Sequence, residues 1–141
     1  LLHRAEIDMT IFFRRLSELD LATPRLETLD DAFYSRAKVS GCRAELESWL
    51  RRWASRVAGD NEDGEQRRMR MLQVNPRFVF RNYLAQQAID LDEQGDLSLV
   101  HTLQSVLRRP YDDQPEHDAL AAKRPDWARE KPGCSMLSCS S

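Results

Sequence analysis

The chain has 141 residues, 41% of them apolar and 31% charged, and a formal net charge of −2. Those values suit one soluble globular domain with its own core. They exclude the global positive field that would draw in nucleic acid or an anionic membrane. No apolar run approaches the roughly 20 residues of a bilayer-spanning helix. Cysteine is odd in number and sparse (Cys42, Cys134 and Cys139), which does not describe a secreted disulfide scaffold. A reducing compartment fits it. The chain begins at Leu1 and helix-like sequence starts at once, so a truncated N-terminus is expected, and the presence or absence of a leader cannot be read. Lys38, Lys123 and Lys131 are the only lysines among 21 cations. Such arginine bias fits ion pairing, phosphate contact or codon usage.

Ile7–Leu21 reads as a helix, with Met9, Phe12, Leu16 and Leu19 on one stripe and Asp8 as N-cap. Thr23-Pro24 breaks it. Leu26, Leu29 and Phe33 predict a short second helix. Leu46, Trp49, Leu50, Trp53 and Val57 form a stronger stripe, ended by Gly59. Cys42 is read as opening that helix, as a buried, inert thiol. The polar loop Asp60–Gly64 has the look of a calcium loop but not its ligand spacing: with Gly64 at the sixth position, Gly59 and Arg70 fall where carboxylates are required. Glu65–Val74 is expected to be helical with Met69 and Leu72 inward, and Arg67, Arg68 and Arg70 on a solvated face.

Asn75-Pro76 reads as a helix start, with Asn as cap and Pro at the first helical position. Phe80, Leu84, Ala88 and Leu91 line one face of the helix that follows, with Tyr83 beside them. Gly95 suits the left-handed residue beyond the helix. Asp96 can cap the next helix, with Leu99 or Val100, Leu103, Val106 and Leu107 as its stripe. Arg108 and Arg109 favour its C-terminal dipole, and Pro110 stops it. Residues 75–109 are therefore expected to form a helical hairpin with a one- or two-residue turn and antiparallel packing. The hairpin belongs to a helical region over 1–109. Residues 110–141, with four prolines, read as an extended tail anchored at Tyr111 and Trp127. The fold class is all-α.

The run Asn75-Pro76-Arg77-Phe78-Val79-Phe80-Arg81-Asn82-Tyr83-Leu84-Ala85-Gln86-Gln87-Ala88-Ile89 is the most specific stretch. It is followed by Gly95-Asp96, Pro110-Tyr111, Pro125-Asp126-Trp127 and the terminal Ser138-Cys139-Ser140-Ser141. Together these resemble the C-terminal end of the selenoprotein O family, and Asp8–Ser17 resembles a helix of that family's C-terminal lobe. The resemblance is strongest over 71–115 and weakest over 23–63. Arg124 departs from it, standing where the family commonly has a second proline. Residues 131–137 have no counterpart in it.

The resemblance implies a parent enzyme with a protein-kinase-like fold that transfers AMP from ATP to Ser, Thr or Tyr hydroxyls of proteins, using Mg²⁺ or Mn²⁺. It also implies that the catalytic residues lie upstream, in a kinase-like lobe on which this part packs. Phosphoryl and nucleotidyl transfer need a loop over the phosphates, a glutamate-held lysine and metal-binding Asp and Asn. No such motif is found here, so no catalytic, nucleotide-binding or metal-binding residue is assigned. Cys139 stands third from the end, where family members carry selenocysteine or cysteine, and the resemblance makes it a redox position. Bacterial cytoplasm is the expected compartment, or the mitochondrion in a eukaryote.

Other candidates have simpler readings. Asp30-Asp31 fits a helix N-terminus and Asp112-Asp113 a solvated turn. His3, His101 and His117 are too dispersed for a metal motif. Trp49 and Trp53 at i,i+4 fit either a base-stacking platform or core, and their stripe favours core. Arg81 fits a buried pairing residue. The competing functional reading is a stand-alone helical protein-interaction module, without enzymatic activity, that binds through the Trp49/Trp53 face or its arginines.

Overall fold

A computed structural model describes residues 1–131 and residue 134 of the chain. Among them every regular element is helical, and the one strand-like pairing is an isolated antiparallel bridge between Ile7 and Phe33. The chain divides into two compact units, Leu1–Pro76 and Arg77–Ser141.

The first unit is organised by Asp8. A short helix α1 (Leu2–Ala5) ends in the left-handed Glu6, and the backbone then pairs with the segment around Phe33. Asp8 N–H donates to the Ala32 carbonyl at 2.8 Å, and Tyr34 N–H donates to the Glu6 carbonyl at 3.2 Å. The Asp8 carboxylate, only 4% exposed, caps α2 (Met9–Leu16) by accepting from Ile11 N–H at 3.2 Å. Its other oxygen accepts from the Tyr34 hydroxyl at 2.8 Å. One carboxylate thus starts a helix and fixes the chain segment that crosses beside it.

Phe12, Leu16 and Leu19 enter the core, but Met9 is exposed at the first position of α2, ahead of the buried turns. A 3₁₀ helix over Leu26–Ala32 supplies Leu26 and Leu29 to the same core. Helix α3 (Arg36–Ala58) starts at Ser35, whose hydroxyl accepts from Lys38 N–H, and brings in Val39, Leu46 and Leu50. It starts well before Cys42, which therefore does not open it. Cys42 sits instead at a kink, with φ −131° just after Gly41, and its thiol donates to the Lys38 carbonyl.

Helix α4 (Gly64–Val74) starts where the Asp63 carboxylate accepts from Glu65 and Gln66 N–H. It turns out contrary to its expected orientation. Met69 is exposed and Leu72 half-buried, while Arg67 is buried at 6% exposure. The cause is polar: Arg67 Nη2 donates to the Leu19 carbonyl at 2.8 Å, taking up a backbone acceptor just past the end of α2.

The second unit contains the hairpin, α5 (Asn82–Asp92) and α6 (Ser98–Leu107). It starts later than Asn75-Pro76 suggested. Asn75 instead closes α4, its backbone and side-chain amides both donating to the Met71 carbonyl. Arg77 and Phe78 N–H both donate to the Pro110 carbonyl, at 2.7 and 3.0 Å, in a stretch ahead of α5 that has no helix. Phe80 consequently precedes the helix and is exposed. The connection spans residues 93–97 rather than one or two. Gly95 takes φ 82°, as expected of the residue that reverses the chain, and the Asp96 carboxylate accepts from Ser98 N–H at 2.8 Å. Tyr83, Leu84, Ala88 and Leu103 form the hairpin's buried seam, with Leu99 and Leu107 packed against it and Val100 exposed.

Candidate functional site: the strap on the helical hairpin

Cys139, the residue expected to carry redox chemistry, lies outside the described residues. The segment leading to it is described as far as Lys131, and again at Cys134, and it returns to the hairpin. After Pro110 the chain forms a 3₁₀ turn over Pro115–His117 and the short helix α7 (Asp118–Ala121). Buried Gln114 anchors that return through its side-chain amide, which donates to the carbonyls of Val106 and Arg109 at 3.2 and 2.9 Å. Arg77 adds a fork, with Nη1 on Asp113 at 3.1 Å and Nη2 on Asp118 at 2.7 Å.

The strap proper is described over residues 122–131 and at Cys134. The Tyr83 hydroxyl donates to the Ala122 carbonyl at 3.3 Å. Trp127 meets the Tyr83 ring edge-on, with centroids 6.2 Å apart. Ala128 and Cys134 are buried in the same cluster as Leu84, Ala88 and Leu103. Lys131 donates to Asp90 at 2.8 Å and lies 5.7 Å from the Trp127 ring centroid. Gln86 donates to the other Asp90 oxygen at 2.7 Å. The Lys131 and Gln86 hydrogen bonds hold the Asp90 carboxyl below its ordinary value of 3.8. Asp90 in turn raises Lys131 above 10.5. Trp127 is an anchor as expected, although about half exposed, while Tyr111 is also exposed. Lys131, Asp90 and Gln86 were missed in the sequence. Their spacing carries no motif, and the only available hint was one of three lysines in an arginine-rich chain.

The remaining candidates fall apart spatially. Trp49 and Trp53 stack with centroids 6.4 Å apart, and Trp49 lies 5.7 Å from Phe12; both pack on the first unit's core. Asp30 and Asp31 lie in the last turn of a 3₁₀ helix and not at a helix start, with Asp31 paired to Arg15. Asp112 and Asp113 pair with Arg109 and Arg77. Arg68 and Arg70 pair with Glu65 and Glu62 on the surface, unlike buried Arg67. Among the described residues no group of three or more His, Cys, Asp or Glu is arranged to hold a metal, and no helix is long and apolar enough to cross a membrane.

Comparison with known proteins gives the strap arrangement a context. The profile of the protein adenylyltransferase SelO family matches residues 1–108, and the chain belongs to that family. Its relatives include the protein nucleotidyltransferase YdiU of Aromatoleum aromaticum, 57% identical over the whole chain, and that of Azoarcus sp., 57% identical over 98% of it. The protein of the same name from Xanthomonas campestris pv. campestris is 53% identical over the whole chain. In each case the chain spans about a quarter (27%) of the relative's length.

Proposed function

We propose that this chain is the C-terminal portion of a protein adenylyltransferase that moves AMP from ATP onto Ser, Thr or Tyr hydroxyls of other proteins. The observation that carries this reading is the match of the entire chain, at 57% identity, to 27% of a protein nucleotidyltransferase. On this reading the rest of the protein is the kinase-like lobe. It is that lobe which holds ATP and Mg²⁺ or Mn²⁺. The chain's own part is structural and regulatory. Its two helical units pack on that lobe, and the strap leads to Cys139, which forms a disulfide with a thiol of the lobe when a thiol oxidant takes up the two electrons and two protons that the pair of thiols loses. Bacterial relatives favour the bacterial cytoplasm as its place of work.

The test uses the 141-residue chain beside a chimera in which it replaces the matched quarter of the Aromatoleum relative. AMP transfer to a protein acceptor, assayed with Mg·ATP, is expected from the chimera alone. Transfer by the short chain would place a catalytic site within it and overturn the assignment. A folded chimera inactive toward every acceptor tried would favour the stand-alone interaction module. In an active chimera, Cys139→Ser is expected to abolish the response of activity to thiol oxidants; an unchanged response removes Cys139 from the switch.

A further inference from the structure

Helix α4 is built inside out. A surface helix ordinarily turns its apolar stripe to the core and its charges to water. Here the most deeply buried residue is Arg67, bonded to the Leu19 carbonyl at 2.8 Å. Met71 alone among the helix's apolar residues packs on the first unit's core. Met69 is 49% exposed, and Leu72, one helical turn on along the same face, is half-buried outside both core clusters. The charges beside this face are already paired: Arg68 with Glu65 at 3.3 Å, and Arg70 with Glu62 at 2.6 Å. The result is an apolar strip with a neutralised rim, a surface suited to an apolar protein partner rather than to nucleic acid or phosphate. Methionine's flexible thioether suits such a contact.

From this geometry we infer that the Met69–Leu72 face of α4 is a docking surface for the portion of the protein that this chain lacks. The inference rests on the reading above, and the relatives' lengths give it an occupant. Nearly three quarters of each relative (100% less the 27% matched) lies outside the chain and is available to cover that face. The recognition is apolar contact of α4 with the preceding lobe, with the ion pairs at its margin.

Oxidation by hydrogen peroxide, followed residue by residue by mass spectrometry, tests this directly. Met69 is expected to oxidise at least tenfold more slowly in the chimera than in the 141-residue chain. Met71, already against the core, should change little. Leu72→Glu in the chimera is expected to return Met69 to the fast rate. Equal Met69 rates in the two proteins would overturn the inference. So would slow oxidation in the short chain itself: if concentration-independent, the chain's own second unit covers the face, and if concentration-dependent, a second copy does. AMP transfer measured on the same samples separates the two claims. An active chimera with reactive Met69 removes the docking surface and keeps the function; an inactive one with protected Met69 does the reverse. If the chimera does not fold, the short chain is titrated with the separately expressed remainder of the relative, and the same Met69 rates decide.

Discussion

The two units are held together by different means. In Leu1–Pro76, Phe12, Leu16, Leu19, Leu26, Leu29, Leu46 and Leu50 interlock, from three helices and the turn after α2, into one continuous apolar cluster. In Arg77–Ser141 the described cluster is smaller, and Ala88, Ala128 and Cys134 are among its members. A small core leaves less hydrophobic stabilisation, and the second unit compensates with side chains that grip backbone or each other: Gln114 on two carbonyls, Arg77 on two carboxylates, Lys131 on Asp90. The first unit should therefore be broken by losing volume, and the second loosened by losing charge or hydrogen bonds.

The largest effect is expected from Phe12→Ala. Phe12 is fully buried and meets both Phe13 and Trp49, with centroids at 5.4 and 5.7 Å. Truncating a core phenylalanine costs about 3–5 kcal/mol. Denaturant unfolding should show a loss of that size, with amide protection falling in α2 and α3. A loss under about 1 kcal/mol would mean that the site collapses around the void, against the tight packing inferred here. Arg67→Met comes next. It keeps much of the aliphatic stem but leaves the Leu19 carbonyl without its donor, a defect worth about 1–3 kcal/mol. Faster exchange at residues 17–22 should accompany it. If Arg67→Met is instead neutral or stabilising, apolar packing can replace the guanidinium, and the orientation of α4 does not depend on the Leu19 hydrogen bond.

This difference also explains what could be read from the sequence. The α2 stripe apart from Met9, the α3 stripe from Leu46 to Trp53, the Asp8 cap and the Gly95 reversal follow from spacing and from local backbone chemistry, and these are found. The hairpin seam at Leu84, Ala88 and Leu103 was legible for the same reason. The misplaced α4 face and hairpin start arise where a polar group, of side chain or backbone, reaches a distant carbonyl. Arg67 finds Leu19, 48 positions away, and so turns α4 around. The paired donors of Arg77 and Phe78 find Pro110, and the predicted helix start moves from Asn75 to Asn82. No periodicity encodes such pairings, because each depends on where the chain returns. Of the candidate site, the Trp127 anchor was legible. The Lys131–Asp90 latch was not, its partners being 41 residues apart.

That latch is expected to give the smallest effect, since both groups are substantially exposed and such pairs contribute little to stability. Its sign is nevertheless fixed. Asp90 has a lowered pKa when the strap is docked, so its contribution is full above the ordinary carboxylate value of 3.8 and disappears as pH falls through the lower, docked value. Lys131 has a raised pKa, so its contribution is full below 10.5 and disappears as pH rises beyond it. Docking should therefore be constant across neutral pH and weaken at both extremes. Trp127, held between Tyr83 and Lys131, reports it through its fluorescence when Trp49 and Trp53 are replaced by Phe. Asp90→Asn should remove the acid limb and the salt dependence of that signal together, while the edge-on Tyr83 contact persists. An acid limb that survives Asp90→Asn would mean that the Lys131–Asp90 pair does not hold the strap, and that its apolar contacts at Trp127 and Ala128 do.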